Sequence, residues 1–234
     1  MTTPGIPLSA VEGAALLGRP QQIRRAPARP INTTFRTSAD VHEEVGARFR
    51  QDTANHELTV LHEQGLYRHL RLRSPRSSEY WFDVVTWPGS LAIRGDVGED
   101  YVFSRVEDMF TFFRGKGINP HYWAEKLGGG QRSVKEYSAD LARQLVVEHF
   151  VDAVRFGDAP RGLGKAIRAE VLNEDLFDDR EAREAIESFS YKGFEFGDVW
   201  EWDLHDYDRG FLWCCHAIVW AISRYDAART AVAA

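Results

Sequence analysis

The densest set of side chains that could do chemistry lies just before the apolar run near the C-terminus. It consists of Glu201, Asp203, His205, Asp206 and Asp208. On a strand, residues 201, 203 and 205 project from one face, so carboxylates and an imidazole could converge on Mg²⁺, Mn²⁺ or Zn²⁺. The spacing matches no specific metal motif, so we expect no cofactor; if a divalent metal binds, Asp203, His205 and Asp208 are the expected ligands. The alternative is that Asp206 or Asp208 caps the following helix.

Three histidines form a second candidate cluster. His56 and His62 share one face of a predicted strand, and His69 lies on the next strand. One strand cannot bring the first two to a single ion, because ~3.3 Å per residue separates them by ~20 Å. We therefore expect exposed strand positions, or partners of Glu57 and Glu63, rather than a metal site.

Cys214, Cys215 and His216 are adjacent and have the residue types of a thiol nucleophile and its base. Their apolar setting raises the pKa of a thiol and makes it unreactive. Neighbouring cysteines on a helix also point about 100° apart, which would strain a mutual disulfide. We expect buried free thiols, as in a reducing cytosol, and a core histidine with one hydrogen bond.

A basic face with one aromatic is predicted on the second strand. Tyr67, His69, Arg71 and Arg73 share one face there, Leu66, Leu70 and Leu72 share the other, and Arg76 follows. This combination suits a phosphate backbone or an acidic protein partner, which makes a nucleic-acid-binding module one alternative for the function. A solvated strand face accounts for the pattern equally well.

The element that must position these residues is the run from Phe211 to Ile222, in which His216 is the only polar side chain. A helix that is apolar on every side belongs in a membrane or in a protein core. The run is well short of the ~20 residues needed to cross a bilayer. It therefore predicts a buried central helix and no membrane association.

Alternating residues and turn signals predict five strands, joined as an antiparallel meander. Their expected ranges are 56–62, 66–73, 80–87, 90–94 and 101–104. Helices are expected over 37–50, from 105 to the glycines at 115–117, from a capping box at 133–136 to 155, over 164–173 and over 179–189. Period two over 194–205 predicts a strand or an irregular extended segment that leads into the buried helix. Strands early and helices late predict an α+β fold, with the sheet packed on a C-terminal helical layer.

Charge is distributed unevenly along the 234 residues, whose net charge is −6. Residues 1–36 carry five Arg and one Glu and are rich in Pro, which predicts a flexible basic arm beside one globular domain over 37–234. Residues 170–208 carry fourteen Asp and Glu against three Lys and Arg. The arm and the acidic region could meet different partners. No signal-peptide pattern begins the sequence, so a cytoplasmic location is expected.

Several phrases of the sequence resemble a family of largely uncharacterised phage and prophage proteins. They are Tyr80–Gly89 (YWFDVVTWPG), Leu91–Asp96 (LAIRGD), Tyr101–Arg105 (YVFSR), Asp108–Phe110 (DMF), Asn119–Lys126 (NPHYWAEK) and Phe211–His216 (FLWCCH). The Gabija anti-defence proteins are one group to which the chain is similar. The resemblance implies a small accessory protein in the cytoplasm of an infected bacterium, and it brings no catalytic residues.

The resemblance implies non-enzymatic inhibition of a host defence complex by protein binding, and a homo-oligomer is compatible with it. Acidic side chains including Glu201, Asp203 and Asp206 could imitate phosphates, or an aromatic-rich face could clamp the complex as an oligomer. One alternative is a metal-dependent enzyme that acts on nucleic acid or a nucleotide through Asp203 and His205. The other is the nucleic-acid-binding module, which would use the basic arm and the Tyr67–Arg73 face.

Overall fold

Five consecutive strands form one antiparallel sheet in the order β1-β2-β3-β4-β5. The computed structural model describes residues 36–115 and 117–233. The strands are β1 (Glu57–Gln64), β2 (Tyr67–Arg73), β3 (Phe82–Trp87), β4 (Ser90–Gly95) and β5 (Tyr101–Ser104). Gly65 (φ 61°) and Gly89 (φ 84°) take positive φ in the connecting turns, which glycine adopts without steric cost. The predicted five-strand meander is confirmed.

Helices and two short strand pairs make up most of the other regular structure. The helices are α1 (Ser38–Asp52), α2 (Met109–Phe113), α3 (Pro120–Ala124), α4 (Ala139–Phe156), α5 (Leu163–Ile167), α6 (Asp179–Glu187) and α7 (Arg209–Ala233). The short antiparallel pairs are β6 (Lys135–Tyr137) with β9 (His205–Tyr207), and β7 (Ser190–Tyr191) with β8 (Phe194–Glu195). The structure is 47% helical and 22% strand by residue, so the fold is α+β as predicted.

The first half of α7 is the centre of the core. Most residues between Phe211 and Ile222 are buried, as expected for a helix that is apolar on every side. Trp213 packs edge-on against Phe82 of β3 and Phe49 of α1, with ring centroids 5.5 and 5.1 Å apart. Such edge-to-face pairs contribute about 1 kcal/mol each beyond the burial of their area. The predicted buried central helix is confirmed.

The sheet covers the core with one face and leaves the other open. Leu70, Leu72, Val84 and Leu91 have no exposed surface, and they pack in one cluster with the buried residues of α7. The residues between them on each strand point the opposite way, because side chains alternate across a sheet. This second face is referred to below as the open face.

Two helices begin later than the sequence predicts. The capping box at 133–136 does not form, because Lys135–Tyr137 pairs with β9 and the Ser133 hydroxyl donates to the Gly130 carbonyl at 2.7 Å. Ser138 caps α4 instead and accepts the Leu141 N–H at 3.2 Å. The helix expected from 105 begins at Met109, where Asp108 caps it.

The segment 194–205, predicted as a strand or an irregular extended segment, contains parts of two short strands separated by a turn. Strand β8 ends at Glu195, a 3₁₀ turn covers Val199–Glu201, and β9 begins at His205. Asp198 precedes the turn with a φ of 48°, a left-handed value that Asp tolerates better than most residues. Val199 is only 2% exposed and packs in a smaller apolar cluster with residues of α4, α5 and α6.

The described residues all belong to one compact unit. None of the helices in this part of the chain is long and apolar enough to cross a membrane. The predicted basic arm over 1–36 lies outside the described residues except for Arg36, whose guanidinium pairs with Glu44 and Asp140 at 3.0 and 3.3 Å.

Candidate functional site

A cleft of about 670 Å³ opens where β6, α6, the turn Val199–Glu201 and β9 meet, and it is named the Trp200 cleft. Its lining residues are Gln131, Arg132, Lys135, Arg183, Trp200, Glu201, Trp202, Asp203 and His205. The cleft therefore contains three of the side chains predicted from the sequence, those at 201, 203 and 205. It adds basic and aromatic groups that the sequence did not place there.

Trp200 is a strongly exposed aromatic residue in this site. Its side chain is 70% exposed, whereas the preceding Val199 is 2% exposed. A short turn produces this contrast, because consecutive side chains point to different sides of the backbone. The indole presents a large apolar surface and one N–H donor to solvent, which is the composition of an interface anchor.

Arg183 of α6 holds the turn in place. Its guanidinium donates to the Val199 carbonyl at 2.6 Å and to the Trp202 carbonyl at 2.8 Å. It also forms a two-point ion pair with Asp179, at 2.9 and 3.1 Å. The planar guanidinium can make all these contacts at once, whereas a lysine ammonium lacks this fork of donors. Arg183 thus fixes the backbone on both sides of Trp200.

Trp202 forms the inner wall of the cleft. Its ring stacks on His149 of α4, with centroids 4.1 Å apart and planes 15° apart. Phe196 packs edge-on against the same indole at 5.8 Å. These contacts anchor the chain after the turn to α4, so the turn that carries Trp200 is held at its end as well as by α6.

Asp203 is paired with Lys135, whose Nζ lies 2.6 Å from its Oδ2. The other carboxylate oxygen accepts the backbone N–H of His205 at 3.1 Å. Burial by itself raises the pKa of Asp203, but the hydrogen bonds from Lys135 and His205 outweigh it and bring the pKa below its ordinary value. Asp203 is therefore an ionised carboxylate with a partner inside the protein.

The predicted metal ligands do not come together as a set. His205 Nδ1 lies 3.5 Å from Asp203 Oδ1, but Asp208 caps α7 and accepts the Phe211 N–H at 2.7 Å. Burial raises the pKa of Asp208. Within 36–115 and 117–233, no group of three or more His, Cys, Asp or Glu side chains is arranged to hold a metal ion. The capping alternative is confirmed for Asp208.

Glu201, Asp203 and Asp206 do not line one surface. Glu201 lies in the Trp200 cleft and is exposed. Asp206 faces Glu136 across the β6–β9 ladder, and its Oδ1 accepts the Tyr207 N–H at 2.8 Å. In β9, side chains 205 and 207 point to the opposite face from side chain 206. The carboxylates proposed from the sequence to act as a row therefore do not form one: Glu201 and Asp203 line the cleft, and Asp206 lies on the opposite face of β9 from His205.

The predicted basic face lies on the open face of the sheet. The buried carboxylate of Asp83 contacts two of its residues, Arg71 and His69. Arg71 donates to both oxygens of Asp83 at 2.8 Å, and Arg94 of β4 donates to the same group at 3.4 Å. His69 Nε2 lies 3.1 Å from Asp83 Oδ2 but out of line for a hydrogen bond. Burial raises the pKa of Asp83, but Arg71 and His69 outweigh it and lower the pKa below its ordinary value.

The three histidines form no single cluster, and His56 is buried rather than the exposed strand position expected from the sequence. His56 is 4% exposed, and its Nε2 donates to the Tyr80 carbonyl at 2.9 Å. His62 and His69 are cross-strand neighbours in the β1–β2 register. His56 is therefore a structural partner of the Tyr80 carbonyl at the start of the sheet, away from the other two, and its Nδ1 is buried without a partner in the described chain.

The thiols of α7 are structural as well. Cys214 and Cys215 are buried and free, and burial raises the pKa of both. His216 stacks on Phe49 at a centroid distance of 5.8 Å, and burial lowers the pKa of its imidazole. An un-ionised thiol beside a weakly basic imidazole does not make a nucleophile, as expected from the sequence, but His216 is only half-buried and the hydrogen bond expected for it is not formed within the described chain.

Sequence reasoning misses Arg183, Trp200 and Trp202 as residues of the site. The alternation over 194–205 put both tryptophans on one apolar strand face. The available signal was Gly197-Asp198, since both residue types tolerate the positive φ that begins a turn. The i,i+4 spacing of Asp179 and Arg183 indicates a helical ion pair, but the contacts of Arg183 with the Val199 and Trp202 carbonyls join residues distant in the chain and leave no local signal.

No family model, no curated protein and no solved structure matches this chain. The resemblance to phage and prophage proteins, including the Gabija anti-defence proteins, stays a prediction.

Proposed function

We propose that this protein is a non-enzymatic binding protein that inhibits a host anti-phage defence complex by contact through the Trp200 cleft. The observation that carries the proposal is a 70% exposed indole on a turn that Arg183 holds on both sides. An exposed tryptophan costs free energy in water and is compensated when a partner covers it. The cleft beside it supplies charged groups for specificity.

The fixed backbone favours binding energetically. Tryptophan and arginine are enriched among the residues that contribute most to protein interfaces. Association costs free energy when flexible groups must be ordered, and a turn already held by Arg183 reduces that cost. Arg132 and Glu201 line the same cleft, and neither forms an ion pair with another described residue. Both charges are thus available to a partner.

An aromatic anchor is better supported than phosphate mimicry. Mimicry by Glu201, Asp203 and Asp206 requires several free carboxylates in a row. Asp203 is neutralised by Lys135, and Asp206 lies on the other face of β9. The charges lining the cleft are mixed, because Arg132, Lys135 and Arg183 accompany its two acidic groups. The contact surface is therefore an aromatic patch among mixed charges.

The partner class comes from the resemblance to phage and prophage proteins. That resemblance implies a host defence complex in the bacterial cytoplasm, and the cleft supplies the contact residues. A homo-oligomer that repeats the contact is compatible with this proposal.

The proposal is tested by purifying the tagged full-length chain from a bacterial host and quantifying the retained proteins by mass spectrometry. We expect one host defence protein to be enriched with the unmodified chain and lost with Trp200→Ala. Phe156→Ala is the matched control, because Phe156 is an equally exposed aromatic, at 72%, on the last turn of α4. Equal retention by both variants contradicts a contact through Trp200.

A further inference from the structure

We infer that the open face of the sheet binds single-stranded nucleic acid, a function separate from the protein contact proposed for the Trp200 cleft. The inference rests on three features of this face: a phosphate-sized pocket lined by arginines, two exposed aromatic rings, and an apolar strip between them.

The strand register defines which side chains share the open face. Arg71 of β2 is paired with Asp83 of β3, which is paired with Arg94 of β4. The buried Asp83 carboxylate contacts both guanidinium groups and fixes their positions. Both guanidiniums also lie over the Trp81 ring, 5.5 and 5.7 Å from its centroid. The cations are therefore held in place before any ligand arrives.

A pocket of about 220 Å³ lies at this end of the open face. It is lined by Arg71, Arg73, Ser77, Ser78 and Trp81. Guanidinium and hydroxyl groups are the side chains that commonly bind phosphate oxygens, and no carboxylate is among these lining residues. Arg73 is exposed and forms no ion pair within the described chain, so its charge is available. The pocket has the size and chemistry for a phosphate group.

Exposed aromatic rings lie at the opposite end of the same face. Tyr67 is 54% exposed and Trp87 is 37% exposed. Arg68 and Thr86 form the last residue pair between β2 and β3 at this end of the sheet. Tyr67 and Trp87 are the next residues on the two strands, so they are neighbours across them. About 20 Å of strand separates them from the pocket at ~3.3 Å per residue. That length suits a short stretch of a nucleic acid strand rather than one phosphate ion.

Between the two ends, His69 and Val85 lie side by side, and Val85 begins an apolar strip that runs across β3, β4 and β5. Val85 of β3, Ala92 of β4 and the 43% exposed Val102 of β5 are joined by the register. Unpaired bases can lie on such a strip and stack on the aromatic rings, whereas a duplex hides its bases and presents only phosphates. An acidic peptide without aromatic side chains would use the arginines but has no flat ring to stack on Tyr67 or Trp87. The combination of rings, apolar strip and cations therefore favours a single strand.

The test uses fluorescence anisotropy of the full-length protein with a labelled 12-nucleotide oligothymidylate, a duplex of equal length and polyglutamate. We expect the single strand to bind most tightly. Asp83 cancels one of the three arginine charges, so log K should fall with log salt with a slope of about −1.4. Arg73→Ala should reduce that slope to about −0.7, and Trp87→Ala should weaken binding about 10-fold at an unchanged slope.

Two matched controls separate this site from general charge effects. Arg168→Ala removes an exposed arginine that has no ion pair within the described chain and lies after α5, and it should leave affinity and slope unchanged. Tyr67→Ala repeats the stacking test should Trp87→Ala fail to fold. The inference is overturned by absent binding, by equal binding of duplex or polyglutamate, or by equal effects of Arg73→Ala and Arg168→Ala.

Discussion

Arg71 and Asp83 form a two-point ion pair across adjacent strands, with both N···O distances at 2.8 Å. The Asp83 side chain has no exposed surface, whereas that of Arg71 is 32% exposed. A carboxylate buried this deeply costs free energy unless cations and N–H donors surround it. The ion pair therefore stabilises the contact between β2 and β3. Asp83 without Arg71 would be a buried charge that lacks its main partner and would destabilise the fold.

Replacing the arginine should expose the cost of the buried carboxylate. We expect Arg71→Met to lower the free energy of unfolding by about 3 kcal/mol, because Asp83 keeps only the weaker contacts from Arg94 and His69. Urea denaturation followed by circular dichroism measures the change. Arg73→Met is the matched control and should change stability by less than about 0.5 kcal/mol, since its side chain is exposed and unpaired within the described chain. Similar losses in both variants would contradict this role of Asp83.

Stability should decrease in acid through the same carboxylate. Although burial raises the pKa of Asp83, Arg71 and His69 bring it below the ordinary value of 3.8 in the folded protein. A group with a lowered folded pKa adds stability above its unfolded pKa and loses it as the pH falls through the folded pKa. Unfolding free energy should therefore decline below about pH 4. In Asp83→Asn, the free energy of unfolding should fall less steeply with decreasing pH. Identical pH dependence in the variant and the unmodified protein would rule out this carboxylate as a cause.

Arg183 should control the order of the turn that carries Trp200. Without its bonds to the Val199 and Trp202 carbonyls, residues 198–203 should exchange backbone amide hydrogens faster in Arg183→Ala, while α7 keeps its protection. Hydrogen exchange with mass spectrometry measures this. Arg180→Ala is the control, because within the described chain Arg180 on the same helix pairs with the half-buried Glu181 and the exposed Glu184 and with no residue of the turn. Unchanged exchange in Arg183→Ala would mean that another contact holds the turn.

The elements that sequence reasoning predicts correctly are those determined by local pattern. An apolar run with one histidine can only be interior at its length, so α7 follows directly from residues 211–222. Alternation and two turn glycines, Gly65 and Gly89, give the meander. Asp208 was one of two expected caps of α7 and is the one that accepts the Phe211 N–H.

The parts that sequence reasoning misses depend on contacts between distant residues. Ser133 has the spacing of a helix cap, but pairing of Lys135–Tyr137 with β9 delays the helix to Ala139. Trp200 alternates like a strand residue, yet Arg183 bonds carbonyls on both sides of it and closes a turn. The basic face was visible in the sequence, but the buried Asp83 that binds Arg71 was not, because register brings them together.

The most direct test of the proposed function is the plating efficiency of phage on bacteria that carry single anti-phage defence systems, Gabija among them. Expression of this protein should restore plaque formation on at least one such strain. Trp200→Ala should abolish that effect, and Phe156→Ala should retain it. Restoration that is equal with Trp200→Ala, or no restoration on any strain by the unmodified protein, would contradict the account.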